Sequence, residues 1–112
     1  MTIVGVELGA KGTFPDLDFD KAVGLMKSMT KHSAVSFTGQ LTYAAYKHIP
    51  VSYIRCEKDF IVAPEKQQKF IDHIRTESGK EVDVHTLTTG HCPNVTAPEE
   101  LAKVIVRIAG TS

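Results

Sequence analysis

Residues 51–93 constrain the fold of this chain more than any other stretch. Val51-Ser52-Tyr53-Ile54-Arg55-Cys56 is short, β-branched and aromatic, and it gives way to charge at Glu57 and Lys58, which reads as a strand. Pro64 and Glu65 then mark a helix start, Gln67, Phe70, Ile71 and Ile74 supply its inward stripe, and Ser78-Gly79 stops it. In residues 81–87, Val82, Val84 and Thr86 alternate with Asp83, His85 and Leu87, a second strand buried mainly on one face. A loop follows through Gly90-His91-Cys92-Pro93, and Pro98-Glu99-Glu100 opens a last helix whose stripe is Leu101, Val104, Ile105 and Ile108. Strand, helix, strand, helix at this spacing implies two parallel strands joined by a right-handed crossover. Both strands then end at one edge, where α/β sites form. Asp59 and His91 each follow a strand by a few residues, so the topology predicts that they meet.

The rest of the chain is read against that unit. Residues 1–6 form a short β-prone run, and Gly9, Gly12 and Pro15 break regular structure after it. Asp16, Asp18 and Asp20 have the spacing of a calcium loop, but Lys21 and Lys27 stand where its glycine and glutamate belong. They are better read as acids at a helix N-terminus. The helix covers residues 18–29, with Phe19, Ala22, Val23, Met26 and Met29 on one face. A second helical pattern spans 33–46, with Val35, Phe37, Leu41, Ala44 and Ala45 recurring on a face and Gly39 weakening it. The chain thus divides into a helical region, 1–48, and a β-α-β-α region, 49–112.

Thirteen basic and thirteen acidic residues cancel, so no charge excess points to nucleic acid or to a membrane surface. No apolar run is long enough to span a bilayer. With 42% hydrophobic and 23% charged residues, the composition is that of a single globular domain. Two cysteines, Cys56 and Cys92, are too few for a disulfide-built scaffold and suit a reducing, cytoplasmic setting. The Asn94-Val95-Thr96 sequon has no secretory signal before it and is expected to be unused.

A carboxylate that accepts a hydrogen bond from one ring nitrogen fixes the histidine tautomer. The other nitrogen is then free to take a proton. Asp59 and His91 are candidates for that pairing, although the same two residues also fit a plain loop acid and a solvent-exposed histidine. No nucleophile is evident. Cys92 adjoins His91, and neighbouring loop residues seldom face each other. Ser33, Ser36 and Thr38 lie in the second helical pattern, with no strained turn to present them. His85, His91 and Cys92 lack the further ligands a zinc site needs. His32, His48 and His73 read as surface residues, and the pattern calls for no cofactor.

These stretches resemble a known family. Residues 53–64 with Gln67 behind them look like the acid-bearing segment of α/β-hydrolases. Gly90-His91-Cys92-Pro93, followed by Pro98-Glu99-Glu100-Leu101-Ala102, resembles their histidine loop and final helix. The likeness covers residues 16–110 and is nearest to the branch of small-molecule esterases and hydroxynitrile lyases. It implies a partial α/β-hydrolase fold, with a helical cap remnant over residues 16–47 followed by a β-α-β-α unit with two parallel strands. It also implies that Asp59 and His91 are two members of a Ser-His-Asp triad. The family's nucleophile elbow, Gly-x-Ser-x-Gly, does not occur in this sequence, so only the C-terminal portion is represented.

Two functions are consistent with this. One is hydrolase ancestry toward esters or related carbonyl compounds, with a small-molecule substrate if completed and inactivity alone. The other is a non-catalytic pseudoenzyme or interaction subunit completed by a partner. A two-stranded sheet leaves both strands at an edge, so marginal stability or self-association through those edges is expected. Phe14, Phe37, Leu41 and Tyr43 are the candidate pocket-lining residues.

Overall fold

The computed structural model describes residues 3–110. Its elements run α1 (Ile3–Thr13), α2 (Phe19–Ser28), two 3-10 turns (Ala34–Phe37 and Ala45–Lys47), β1 (Ser52–Cys56), α3 (Pro64–Ser78), β2 (Asp83–Leu87), the single-turn α4 (Pro93–Thr96) and α5 (Pro98–Gly110). This is a mixed α/β architecture built on a two-stranded sheet.

β1 and β2 pair in parallel, with Ser52 opposite Asp83 and Cys56 opposite Leu87. The ladder extends beyond both strands, through Asp83 N–H to Val51 O (3.1 Å), Glu57 N–H to Leu87 O (2.9 Å) and Lys58 N–H to Thr89 O (2.9 Å). α3 packs on β1 and α5 on β2. α3 opens on Pro64 and ends on Gly79 at φ 69°, as the proline and glycine signals require. Its inward stripe is carried by Gln67 and Ile71, while Phe70 faces outward.

α2 matches its expected span. Asp18 is its N-cap, accepting a bond from Lys21 N–H at 3.4 Å, and Ala22 and Met26 are its buried residues. They join Val6, Ala10 and Phe14 of the preceding segment in one apolar cluster.

Two expectations fail. Residues 3–6 are helical, not extended; Met1 and Thr2, also part of the expected strand, lie outside the described residues. The supposed breakers Gly9 and Gly12 lie inside α1, where they permit close packing. A Cβ on Gly9 would stand 2.5 Å from Met26 Cε, and one on Gly12 would stand 2.9 Å from Ile61 Cδ1. Tertiary contact with α2 thus overrides a β-prone local sequence.

The expected helix over 33–46 is reduced to the two 3-10 turns. Val35, Phe37, Leu41 and Tyr43 are all exposed. An amphipathic helix draws most of its stability from burying its apolar face, and here Val35, Phe37 and Leu41 of that face stay open to solvent. Of the candidate pocket-lining residues, Phe37, Leu41 and Tyr43 lie open to solvent, while Phe14, 2% exposed, is core and lines a small cavity with Lys11, Pro15, Leu17 and Phe19.

Candidate active site

The site is assembled where the chain leaves the two strands. β1 ends at Cys56, and Gln67, buried on the facing turn of α3, closes that end. Its carboxamide oxygen accepts from Cys56 N–H (2.9 Å), and its nitrogen donates to Cys56 O (2.9 Å) and Val62 O (2.8 Å). These bonds fix the loop between β1 and α3, and Asp59 sits inside it.

Asp59 is buried, 5% exposed. Its Oδ1 accepts from Ile61 N–H at 2.8 Å and Val62 N–H at 2.9 Å. Its Oδ2 meets His91 Nδ1 at 2.9 Å. An ionised carboxylate only accepts, so Nδ1 carries the proton and the tautomer is set. Hydrogen bonds to the charged form compensate for burying it. The His91 side chain is 36% exposed, and its Nε2 has no hydrogen-bond partner among the described residues. The result is an oriented imidazole with an unshared, solvent-reachable basic nitrogen.

The loop that carries His91 is held on both sides. Gly90 is buried and donates its N–H to Asp16 Oδ2 at 3.0 Å. Cys92 packs, partly buried, against the α1–α2 cluster. Lys58 N–H holds Thr89 O. Pro93 then starts α4, so the loop is short and defined at each end.

Both thiols are free and both are pushed above the ordinary thiol range. For Cys92 burial is the main cause, followed by the negative charges of Asp59 and Asp16 and by Cys56. For Cys56 burial again leads, a hydrogen bond with Thr89 works in the opposite direction, and Asp59 and Asp16 raise it further. Cys92 is therefore held as a thiol, the unreactive form.

The other sequence candidates fall elsewhere. Ser33, Ser36 and Thr38 lie in an exposed segment. Ser36 Oγ donates to Ser33 O at 2.7 Å and lies 3.1 Å from His32 Nδ1. That ring nitrogen is also 3.1 Å from Ser33 O, so it bears a proton and cannot serve Ser36 as a base. His85 turns instead to Asp83, with Nε2 2.7 Å from Oδ2; this bond is the main reason the Asp83 carboxyl lies below its usual range. Among the described residues no three His, Cys, Asp or Glu side chains are grouped to hold a metal. His32, His48 and His73 are exposed.

Sequence reasoning missed the placement of Asp16. The sequence groups it with the helix-start acids, and of these Asp18 and Asp20 do stand at the start of α2. The bond to Gly90 spans 74 positions and has no local signal beyond the Pro15-Asp16 turn itself.

No protein-family model matches this chain. A curated relative from a Phoma species, named Probable hydrolase R7, is 50% identical to it over 95 residues. The match takes in 85% of this chain and 39% of the relative, so the chain spans about two-fifths of the length of the curated protein it matches.

Proposed function

We propose that this chain is the acid-and-histidine portion of a hydrolase of α/β-hydrolase type, acting on small esters or related carbonyl compounds once its site is completed. The observation that carries this reading is the 2.9 Å bond from His91 Nδ1 to the buried Asp59 carboxylate, with Nε2 left free. The similarity to a protein named as a hydrolase supports the ancestry.

In this reading Asp59 orients His91 and stabilises the imidazolium, and Nε2 takes the proton from a nucleophile and returns it to the leaving group. The nucleophile and its oxyanion donors come from outside these residues, and residues 1–48 correspond to a cap. The chain alone is then inactive, because triad members act as a unit. Among the described residues no helix is long and apolar enough to cross a membrane, and the two free thiols suit a reducing, cytoplasmic setting.

A second reading, a non-catalytic subunit completed by a partner, is favoured by the surface. The chain exposes 8087 Å², about a third more than the roughly 6,100 Å² typical of a folded monomer of its mass. The excess, about 2,000 Å² on this one chain, is more than the roughly 800 Å² that each partner gives to a standard interface.

A chimera separates the two. Joining this chain to the part of the Phoma relative outside the match should give hydrolysis of p-nitrophenyl acetate. His91→Ala should lower its kcat/KM by roughly a thousandfold or more. Full activity in that variant would sink the catalytic reading, and a folded but inert chimera would favour the second.

A further inference from the structure

We propose that Asp16 is a positioning residue for His91, acting through Gly90, and that the α1–α2 pair is the frame that aims the imidazole. The inference rests on the reading of His91 as the working base and adds a group that reading does not contain.

Three observations meet at the histidine loop. Gly90 N–H donates to Asp16 Oδ2 at 3.0 Å. Gly90 is also closed in by the same turn: a Cβ there would lie 2.7 Å from Pro15 Cδ and 2.9 Å from Asp16 Oδ1. On the other side of His91, Cys92 packs against the cluster formed by Val6, Ala10, Phe14, Ala22 and Met26. His91 therefore stands between two anchors, one on the turn that joins α1 to α2 and one on the apolar cluster of those helices. The bond to Asp59 fixes which nitrogen is protonated, but one hydrogen bond leaves the ring free to swing about it. The plane and direction of Nε2 depend on the backbone at residues 90 and 92.

The acceptor at position 16 also satisfies a buried donor. Without it the Gly90 N–H must find water, and the loop must open to admit it. An asparagine can replace aspartate in this role, because its carboxamide oxygen accepts equally well. An alanine cannot.

The test uses the intact chain and needs no turnover. Ring ¹⁵N–¹H spectra report which nitrogen of His91 carries the proton, and hydrogen exchange reports the Gly90 amide. Wild type should show Nδ1 protonated and Gly90 protected. Asp16→Ala should speed Gly90 exchange about tenfold and, with Asp59 still holding the Nδ1 proton, shift and broaden the ring signals of His91 as its orientation loosens. Asp16→Asn should restore both signals. Gly90→Ala keeps the carboxylate but forces Pro15 and Asp16 off the loop, so it should reproduce the His91 signature of Asp16→Ala and carries the test should that variant fold poorly. Wild-type His91 signals in either loosening variant, or failure of Asp16→Asn to restore them, overturn the proposal. An inactive chimera together with a loosened His91 in Asp16→Ala would defeat the hydrolase reading and leave the positioning role standing.

Discussion

Gln67 shows how much depends on a single side chain at this site. One carboxamide bonds a donor and two acceptors at the end of β1 and in the loop beyond it, all within 2.9 Å. Gln67→Leu keeps the volume and removes all three bonds. It should destabilise the chain by about 2–4 kcal/mol, read as a lower urea midpoint, with the loop carrying Asp59 loosening first in hydrogen exchange. The two cysteines give a pH dependence. Their folded values are raised, mainly by burial, so the unfolded chain deprotonates first. Their contribution is fully present below about pH 8.5, the free-thiol value, and is lost as pH rises through the folded values. Urea unfolding between pH 7.5 and 9.5 should show stability falling in wild type and falling less in Cys92→Ala. Asp59 and His91 were legible in the sequence because topology alone sends both to one sheet edge. Asp16 was not, because nothing near it in sequence reveals a partner in the distant histidine loop.

At the level of elements, β1 presents an open edge with a definite register. Val51 and Glu57 bond toward β2, so by alternation Tyr53 and Arg55 do also. Ser52, Ile54 and Cys56 then face the other way, and Gln67 already occupies Cys56. The available edge is therefore Ser52 and Ile54, a template two residues deep. If the chain self-associates there, Ile54→Pro should abolish it, since it removes the outward N–H without touching the ladder to β2. Light scattering should then give the monomer mass, whereas an unchanged oligomer would place the contact elsewhere. The β-α-β-α half was readable because Pro64, Gly79 and Pro98 punctuate it and its strands are short and β-branched. The N-terminal half was misread twice for one reason. The first segment becomes helical because Val6, Ala10 and Phe14 have α2 to pack on, and residues 33–43 fail to because their apolar side chains stay in solvent; Tyr46, further on, does reach a partner, His73 of α3.

Taken whole, the chain is loosely gathered. Its radius of gyration is 16.0 Å, against about 13 Å for a compact domain of this length. Among the described residues, 27–43 are exposed throughout, so the link between the helix pair and the sheet unit buries almost nothing. What joins them is the bond from Gly90 to Asp16, the seat of Cys92 and the approach of Gly12 to Ile61. Residues 27–43 thus behave as a tether. They keep the helix pair near the histidine loop through effective concentration and make only short-range contacts, such as Tyr43 stacked on His48. Trypsin should cut first at Lys31, because exposed backbone is the preferred site of nicking, and at micromolar concentration the two pieces should separate on gel filtration. Pieces that co-elute would show that the contacts suffice without the link. The helix pair is, in effect, a ligand carried on the same chain as its receptor, and its occupancy of the histidine loop is set by the length of a leash.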